Sequence, residues 1–138
     1  MTIENVRIIE LPKYLDVRGN LSYVENFKQI PFEIKRTYWI YDVPGGEDRG
    51  GHAFCRNEEL IIALSGGFEV LVDDGSSSKV ISLNRSYYGL YIPAGLWRSM
   101  RNFSTNSFAL EFGSEVYNES DYIRKYDDFL NLKRDGKI

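Results

Sequence analysis

The sequence predicts an all-β, antiparallel domain closed at its C-terminal end by one helix. Three observations carry this. Short runs rich in β-branched and aromatic residues recur at roughly 8–12 residue spacing. Glycine, proline, asparagine and aspartate punctuate them. No amphipathic helical spacer intervenes before the last stretch of the chain, where the apolar period changes.

The elements follow in order. Val6 to Leu11 alternates as a strand, and Asp16-Val17-Arg18-Gly19-Asn20 is a turn. Asn20 to Glu25 reads as a second strand, with a corner at Ile30-Pro31-Phe32. Ile34 to Val43 is dense in β-branched and aromatic residues, a strong strand signal. Pro44 to Gly51, with four glycines, reads as a loop. Glu59 to Leu64 is a strand, followed by a tight turn at Ser65-Gly66-Gly67. Phe68 to Val72 and Val80 to Leu83 flank Asp73-Asp74-Gly75-Ser76-Ser77-Ser78, a hairpin pattern. Tyr87 to Ile92, Trp97 to Asn102 and Ser107 to Phe112 complete the strands. From Asn118, with Asn118 or Ser120 as N-cap, residues 118–132 are expected to form the helix. Tyr122, Ile123, Tyr126, Phe129 and Leu130 would supply its apolar face.

Composition narrows the function. At 138 residues with 43% hydrophobic and 27% charged residues, the chain reads as a single ordered domain over 1–138. One cysteine excludes an intrachain disulfide and a cysteine-based zinc site. One histidine excludes a multi-histidine metal centre within one chain. A formal charge of −3 speaks against non-specific nucleic-acid binding but permits a local basic pocket. No apolar run approaches the roughly 20 residues of a membrane span. The N-terminus has no signal-peptide pattern, so the expected location is cytoplasmic. Twenty aromatics suit sheet faces or a stacking pocket.

Two stretches match the two motifs of the cupin (jelly-roll) barrel. In the first, G-x5-H-x-H-x3,4-E-x6-G, Gly46 is followed by five residues, His52, Ala53, Phe54, four residues, Glu59, six residues and Gly66. In the second, G-x5-P-x-G-x2-H-x3-N, the spacing holds from Pro93 through Gly95 and Arg98 to Asn102, while Gly89 is off register. Residues 52 and 54 alternate on a strand and so share a face. In cupins that face is the barrel interior, where His, His, Glu and His hold a divalent metal. Here His52 and Glu59 remain, but Phe54 cannot ligate and Arg98 is a fixed cation. The site is therefore expected to hold no metal. A buried Arg98 needs an anion, which either Glu59 or a ligand phosphate or enolate could supply. Arg18 and Arg49, each beside glycines, are candidates for the barrel mouth. Cys55 should face away from residues 52 and 54, as a packed or surface thiol.

Beyond the motifs, the chain resembles the dTDP-4-keto-6-deoxy-glucose 3,4-ketoisomerase family of small cupins. The stretches that carry the resemblance are Asp16-Val17-Arg18-Gly19, residues 30–38, Arg49-Gly50-Gly51-His52-Ala53, Val72-Asp73-Asp74-Gly75 and residues 120–129. The resemblance implies a cofactor-free, metal-free homodimer that processes a dTDP-linked keto-sugar in deoxysugar (surface polysaccharide) biosynthesis. It also implies that residues 1–12 form an exchanged or dimer-pairing strand. His52 would take one place of the family's His-Ala-His proton-transfer pair, with Tyr38 beside it as a catalytic group. Arg18 and Tyr38 would position the sugar and its diphosphate, and Arg49, Phe54, Glu59 and Arg98 would line the substrate site. Phe54 replaces the second histidine of the pair. Three outcomes follow: His52 suffices with help from Glu59 or Tyr38, the isomerisation or epimerisation differs, or the protein binds a nucleotide sugar without turnover.

Overall fold

The computed structural model describes residues 1–138. Two five-stranded antiparallel sheets face each other. The first orders its strands β1 (Arg7–Glu10), β9 (Tyr88–Ile92), β6 (Glu59–Ser65), β11 (Phe108–Gly113) and β4 (Arg36–Tyr41). The second orders β12 (Tyr122–Ile123), β5 (Arg49–Phe54), β10 (Trp97–Arg101), β7 (Phe68–Asp73) and β8 (Ser78–Leu83). A small hairpin of β2 (Lys13–Tyr14) and β3 (Leu21–Ser22) projects from the body. The helix α1 spans Tyr126–Arg134. The antiparallel barrel with a C-terminal helix is as the sequence predicts.

Alternation explains the core. On β7 every second residue, Phe68, Val70 and Val72, is buried. They meet Ile61, Ala63, Leu90, Ile92 and Ala109 of the opposite sheet, with Met100 and Leu96 between. Each fully buried large aliphatic side chain contributes about 1.5–3 kcal/mol. The outer face of the first sheet is partly covered by its own chain: Leu11, Ile30 and Phe32 pack on Leu60, Ile62 and Tyr91. The outer face of the second sheet carries α1 through Phe129, packed with Ala53, Ile123 and Trp97.

Three expectations need correction. Residues 49–51 are strand, not loop, because β5 begins at Arg49. Asn20 to Glu25 holds strand pairing only at Leu21–Ser22. The helix does not start at Asn118. That residue caps a 3-10 turn, Glu119–Asp121, through its side chain. Tyr122 and Ile123 then pair with Phe54 and Ala53, and the helix opens only at Tyr126. The buried carboxylate of Asp121 decides this: it accepts the backbone N–H groups of Arg56 (2.8 Å) and Asn57 (3.0 Å), which ties the tail to the turn after β5. Within the single chain β1 pairs with β9, from Arg7 opposite Tyr91 to Glu10 opposite Tyr88.

Candidate active site

The site begins with a bulge. Opposite β10, β5 uses four residues, Arg49 to His52, where β10 uses three, Arg98 to Met100. Gly50 absorbs the extra residue at φ +71, a region open to glycine. A Cβ there would lie 2.1 Å from Nη1 of Arg98. With only hydrogen in that place, Nη1 donates to the Gly50 carbonyl at 2.9 Å.

Arg98 is directly opposite His52 in the ladder and is 1% exposed. Its guanidinium grips Glu59 with two bonds, Nε to Oε1 (2.6 Å) and Nη2 to Oε2 (2.9 Å). Nη2 also donates to Oε1 of Glu111, a fully buried carboxylate. Tyr38 donates its hydroxyl to the same Glu111 oxygen at 3.1 Å and lies 3.3 Å from Nη2 of Arg98. Two carboxylates thus share one guanidinium. Burial, with Glu59 adding to it, raises Glu111 to about 7. Burial, with Glu111 and Glu59 adding to it, raises the Tyr38 phenol well above its ordinary value, so it stays protonated.

His52 lies beside this cluster inside a shell of rings. Phe54 stands edge-on at 4.6 Å between centroids, and Tyr122 lies at 4.9 Å. Phe54 and Tyr122 contact each other at 4.7 Å. The His52 Nε2 is buried and has no hydrogen-bond partner. Burial first, then the cations Arg98, Arg124 and Arg36, lower its pKa to about 2. The imidazole is therefore neutral at physiological pH. Arg36 bridges the rim: its guanidinium carbon is 5.3–5.8 Å from the rings of Tyr38, Phe54, Tyr117 and Tyr122. Its Nη1 donates to the Tyr122 hydroxyl at 3.2 Å. Arg124 lies over the other side of Tyr122, 4.3 Å from its centroid, and is held by Glu119.

Of the residues singled out from sequence, the fold gathers His52, Phe54, Tyr38, Glu59 and Arg98. It does not bring Arg18 or Arg49 to them. Arg18 sits on the exposed turn between β2 and β3, paired with Asp16 at 2.9 Å. Arg49 is exposed at the far end of β5 and lines a separate cleft of about 270 Å³ with Tyr41, Asp42, Val43, Pro44, Glu47 and Asp48. Arg98 is buried, and Glu59, Glu111 and the Gly50 carbonyl take its charge and donors. Three further residues, Glu111, Arg36 and Tyr122, escaped the sequence reading. Glu111 was detectable as the one acid on the inward register of β11, between Ala109 and Gly113. The residues do not fit a cupin metal: a phenyl ring stands at one ligand position, and a guanidinium at another already clasps Glu59. Cys55 is exposed, as its parity on the strand implies.

Comparison with known proteins places this geometry. Residues 4–134 match the family described as FdtA: WxcM-like, C-terminal. The chain belongs to this family. It is 38% identical over 136 residues to the TDP-4-oxo-6-deoxy-alpha-D-glucose-3,4-oxoisomerase of Aneurinibacillus thermoaerophilus, covering 94% of this chain and 98% of that protein. Among solved structures it is similar to a 3,4-ketoisomerase from Helicobacter canadensis, with 43% identity, a TM-score of 0.92, and coverage of 94% and 98% of the two chains. It is also similar to a variant of the 3,4-ketoisomerase of Thermoanaerobacterium thermosaccharolyticum in complex with TDP-4-keto-6-deoxyglucose. That match has 34% identity, a TM-score of 0.92 and 95% coverage of both chains.

Proposed function

We propose that this chain is a 3,4-ketoisomerase of a dTDP-linked 4-keto-6-deoxy-hexose, acting in the cytoplasm in deoxysugar biosynthesis, with His52 as its proton-transfer base. The observation that carries this is the neutral, buried imidazole whose Nε2 has no protein partner, in a chain of the FdtA family. The reaction moves a carbonyl one carbon along the ring. Nε2 takes the proton from C3, the C3–H electron pair forms the C3=C4 double bond, and the C4 carbonyl pair becomes an oxyanion. The imidazolium returns the proton to C4, and the hydroxyl proton of O3 passes to O4. The carbonyl is then at C3. Atoms and electrons balance with no external oxidant and no metal.

A base with so low a pKa is weak, and the cause suggests the remedy. Burial depresses it first and three arginines add to that, and a bound diphosphate of opposite charge offsets the arginines' part, moving the imidazole back toward its ordinary value. Phe54 keeps the site dry. Tyr38, kept protonated by burial first and then by Glu111 and Glu59, closes the floor with its hydroxyl donated to Glu111.

The working unit is a homodimer. Trp39 and Tyr41 stack on the half-buried Phe108 at the outer face of the first sheet and remain exposed in one chain, as do Leu15, Val17 and Leu21 on the projecting hairpin. Arg18, carried on that hairpin and remote from its own His52, would serve the partner's substrate diphosphate.

The test is incubation with dTDP-4-keto-6-deoxyglucose in deuterium oxide. Isomerase activity incorporates deuterium at C3 or C4 and survives chelators. Phe54 favours one rival, a cupin that binds the nucleotide sugar without turnover. In that case dTDP stabilises the protein but no deuterium enters the sugar.

A further inference from the structure

Three arginines of the chain are drawn in from the surface, Arg36, Arg98 and Arg101. Arg98 and Arg101 each face a carboxylate, Glu59 and Glu111 for the first and Glu69 for the second. Arg36 has no carboxylate within salt-bridge distance. Its one side-chain hydrogen bond goes to a neutral phenol, Tyr122, and its Nε is buried with no acceptor. Around it stand aromatic rings, which attract a cation without neutralising it. A half-buried guanidinium in this state lacks an anionic counterpart, and buried donors are normally satisfied.

The place of Arg36 says which anion it awaits. Arg36 and His52 flank the same two rings, Phe54 and Tyr122. It is thus the one uncommitted cation beside the proposed base, since Arg98 is spent on Glu59 and Glu111 and Arg124 on Glu119. The register of β4 fixes its position: Arg36 lies opposite Gly113, and Tyr38 two residues on lies opposite Glu111. The strand therefore aims Arg36 and Tyr38 at one face, the first at the rim and the second at the floor.

We propose that Arg36 is the electrophilic partner of His52, binding the oxyanion that develops on the sugar ring when the C3 proton is removed. This rests on the ketoisomerase reading above. As His52 takes the proton, negative charge accumulates on O4. A preorganised cation in a dry, ring-lined site lowers the energy of that charge far more than water-exposed Arg18 or Arg49 could. When the proton returns to C4, O4 takes the O3 hydroxyl proton and the charge is discharged.

The experiment measures turnover of dTDP-4-keto-6-deoxyglucose and, separately, the affinity for dTDP, which has a diphosphate but no sugar. Arg36→Met should lower kcat by about 10²–10³-fold, the usual cost of losing one oxyanion donor. Its dTDP affinity should change by less than about threefold, and Arg36→Lys should recover part of the rate. Should Arg36→Met not fold, Arg36→Gln, which retains a donor for Tyr122, carries the same comparison. An active wild type with undiminished kcat in the folded variant overturns this inference alone, as does a loss confined to dTDP affinity, which would assign Arg36 to the diphosphate. An inert wild type overturns the reading beneath it as well.

Discussion

Arg98 shows how one residue can occupy a catalytic motif position and do structural work. It fills the place of a cupin histidine, yet its charge is consumed by Glu59 and Glu111. Removing one partner from a buried ion cluster leaves the others uncompensated, typically at about 3–5 kcal/mol. Arg98→Met should therefore destabilise the fold by that amount in urea denaturation, more than any single aliphatic deletion on the rim. Phe54 occupies the other substituted position and touches His52 edge-on. Phe54→His would place a second imidazole within reach of the first. If paired histidines are the more effective device, ketoisomerase turnover should rise at least about tenfold, measured under saturating substrate. A neutral or harmful result would show that His52 needs no such partner here.

At the scale of elements, the tail is the informative case. Its periodic apolar residues fit a helix from Asn118, but the chain breaks that pattern to lay Tyr122 beside Phe54. The side chain that forces the break is Asp121, whose two oxygens receive the N–H groups of Arg56 and Asn57. Local periodicity cannot reveal a carboxylate whose partners lie 64 and 65 residues away. Asp121→Ala orphans the buried N–H of Asn57 and removes the acceptor of the part-buried N–H of Arg56, and should cost about 1–3 kcal/mol, the usual cost of one unsatisfied buried group. The same change should loosen Tyr122 over His52, so activity should fall more than stability alone requires, read by comparing kcat with the fraction folded. The strands were more legible. β6, β7, β9, β10 and β11 lie within a residue or two of their sequence boundaries, because alternation on a half-buried sheet is a local signal. The Arg49–Gly51 stretch was not legible: its glycines resemble a loop, and only the bulge against Arg98 makes them strand.

For the whole molecule, two buried groups set the response to pH, with opposite signs. His52 is held neutral down to about pH 2, while an unfolded imidazole protonates near 6.5. Its contribution is lost as pH falls below 6.5, because the unfolded state binds more protons. Glu111 is held protonated up to about 7, while its unfolded value is 4.5. Its contribution is lost as pH rises from 4.5 through 7. The two slopes oppose each other between 4.5 and 6.5, so stability should vary little there through these groups and fall below 4.5. In His52→Phe the opposing slope is gone, and stability should decline as pH rises from 4.5 to 7, measured by urea denaturation at stepped pH. The N-terminal strand belongs to this scale too. Val6 is part of the main core, and β1 covers the edge of β9. Deleting residues 1–12 should give monomer or aggregate by light scattering, and an unchanged, well-folded dimer would refute the dimer-pairing role.

The sequence alone determined the barrel, because strand alternation and turn chemistry act over a few residues. It determined the substitution of Phe54 and Arg98 in the cupin motif, because motif spacing is linear. It determined that His52 and Phe54 share a face, because strand parity is two. Tertiary structure decided which anion Arg98 holds, since Glu59, Glu111 and Tyr38 come from three different strands. It also decided that His52 is neutral and that Arg36 is left without a carboxylate. Charge state and electrostatic pairing depend on burial and on neighbours distant in sequence, and those exist only once the two sheets have closed on each other.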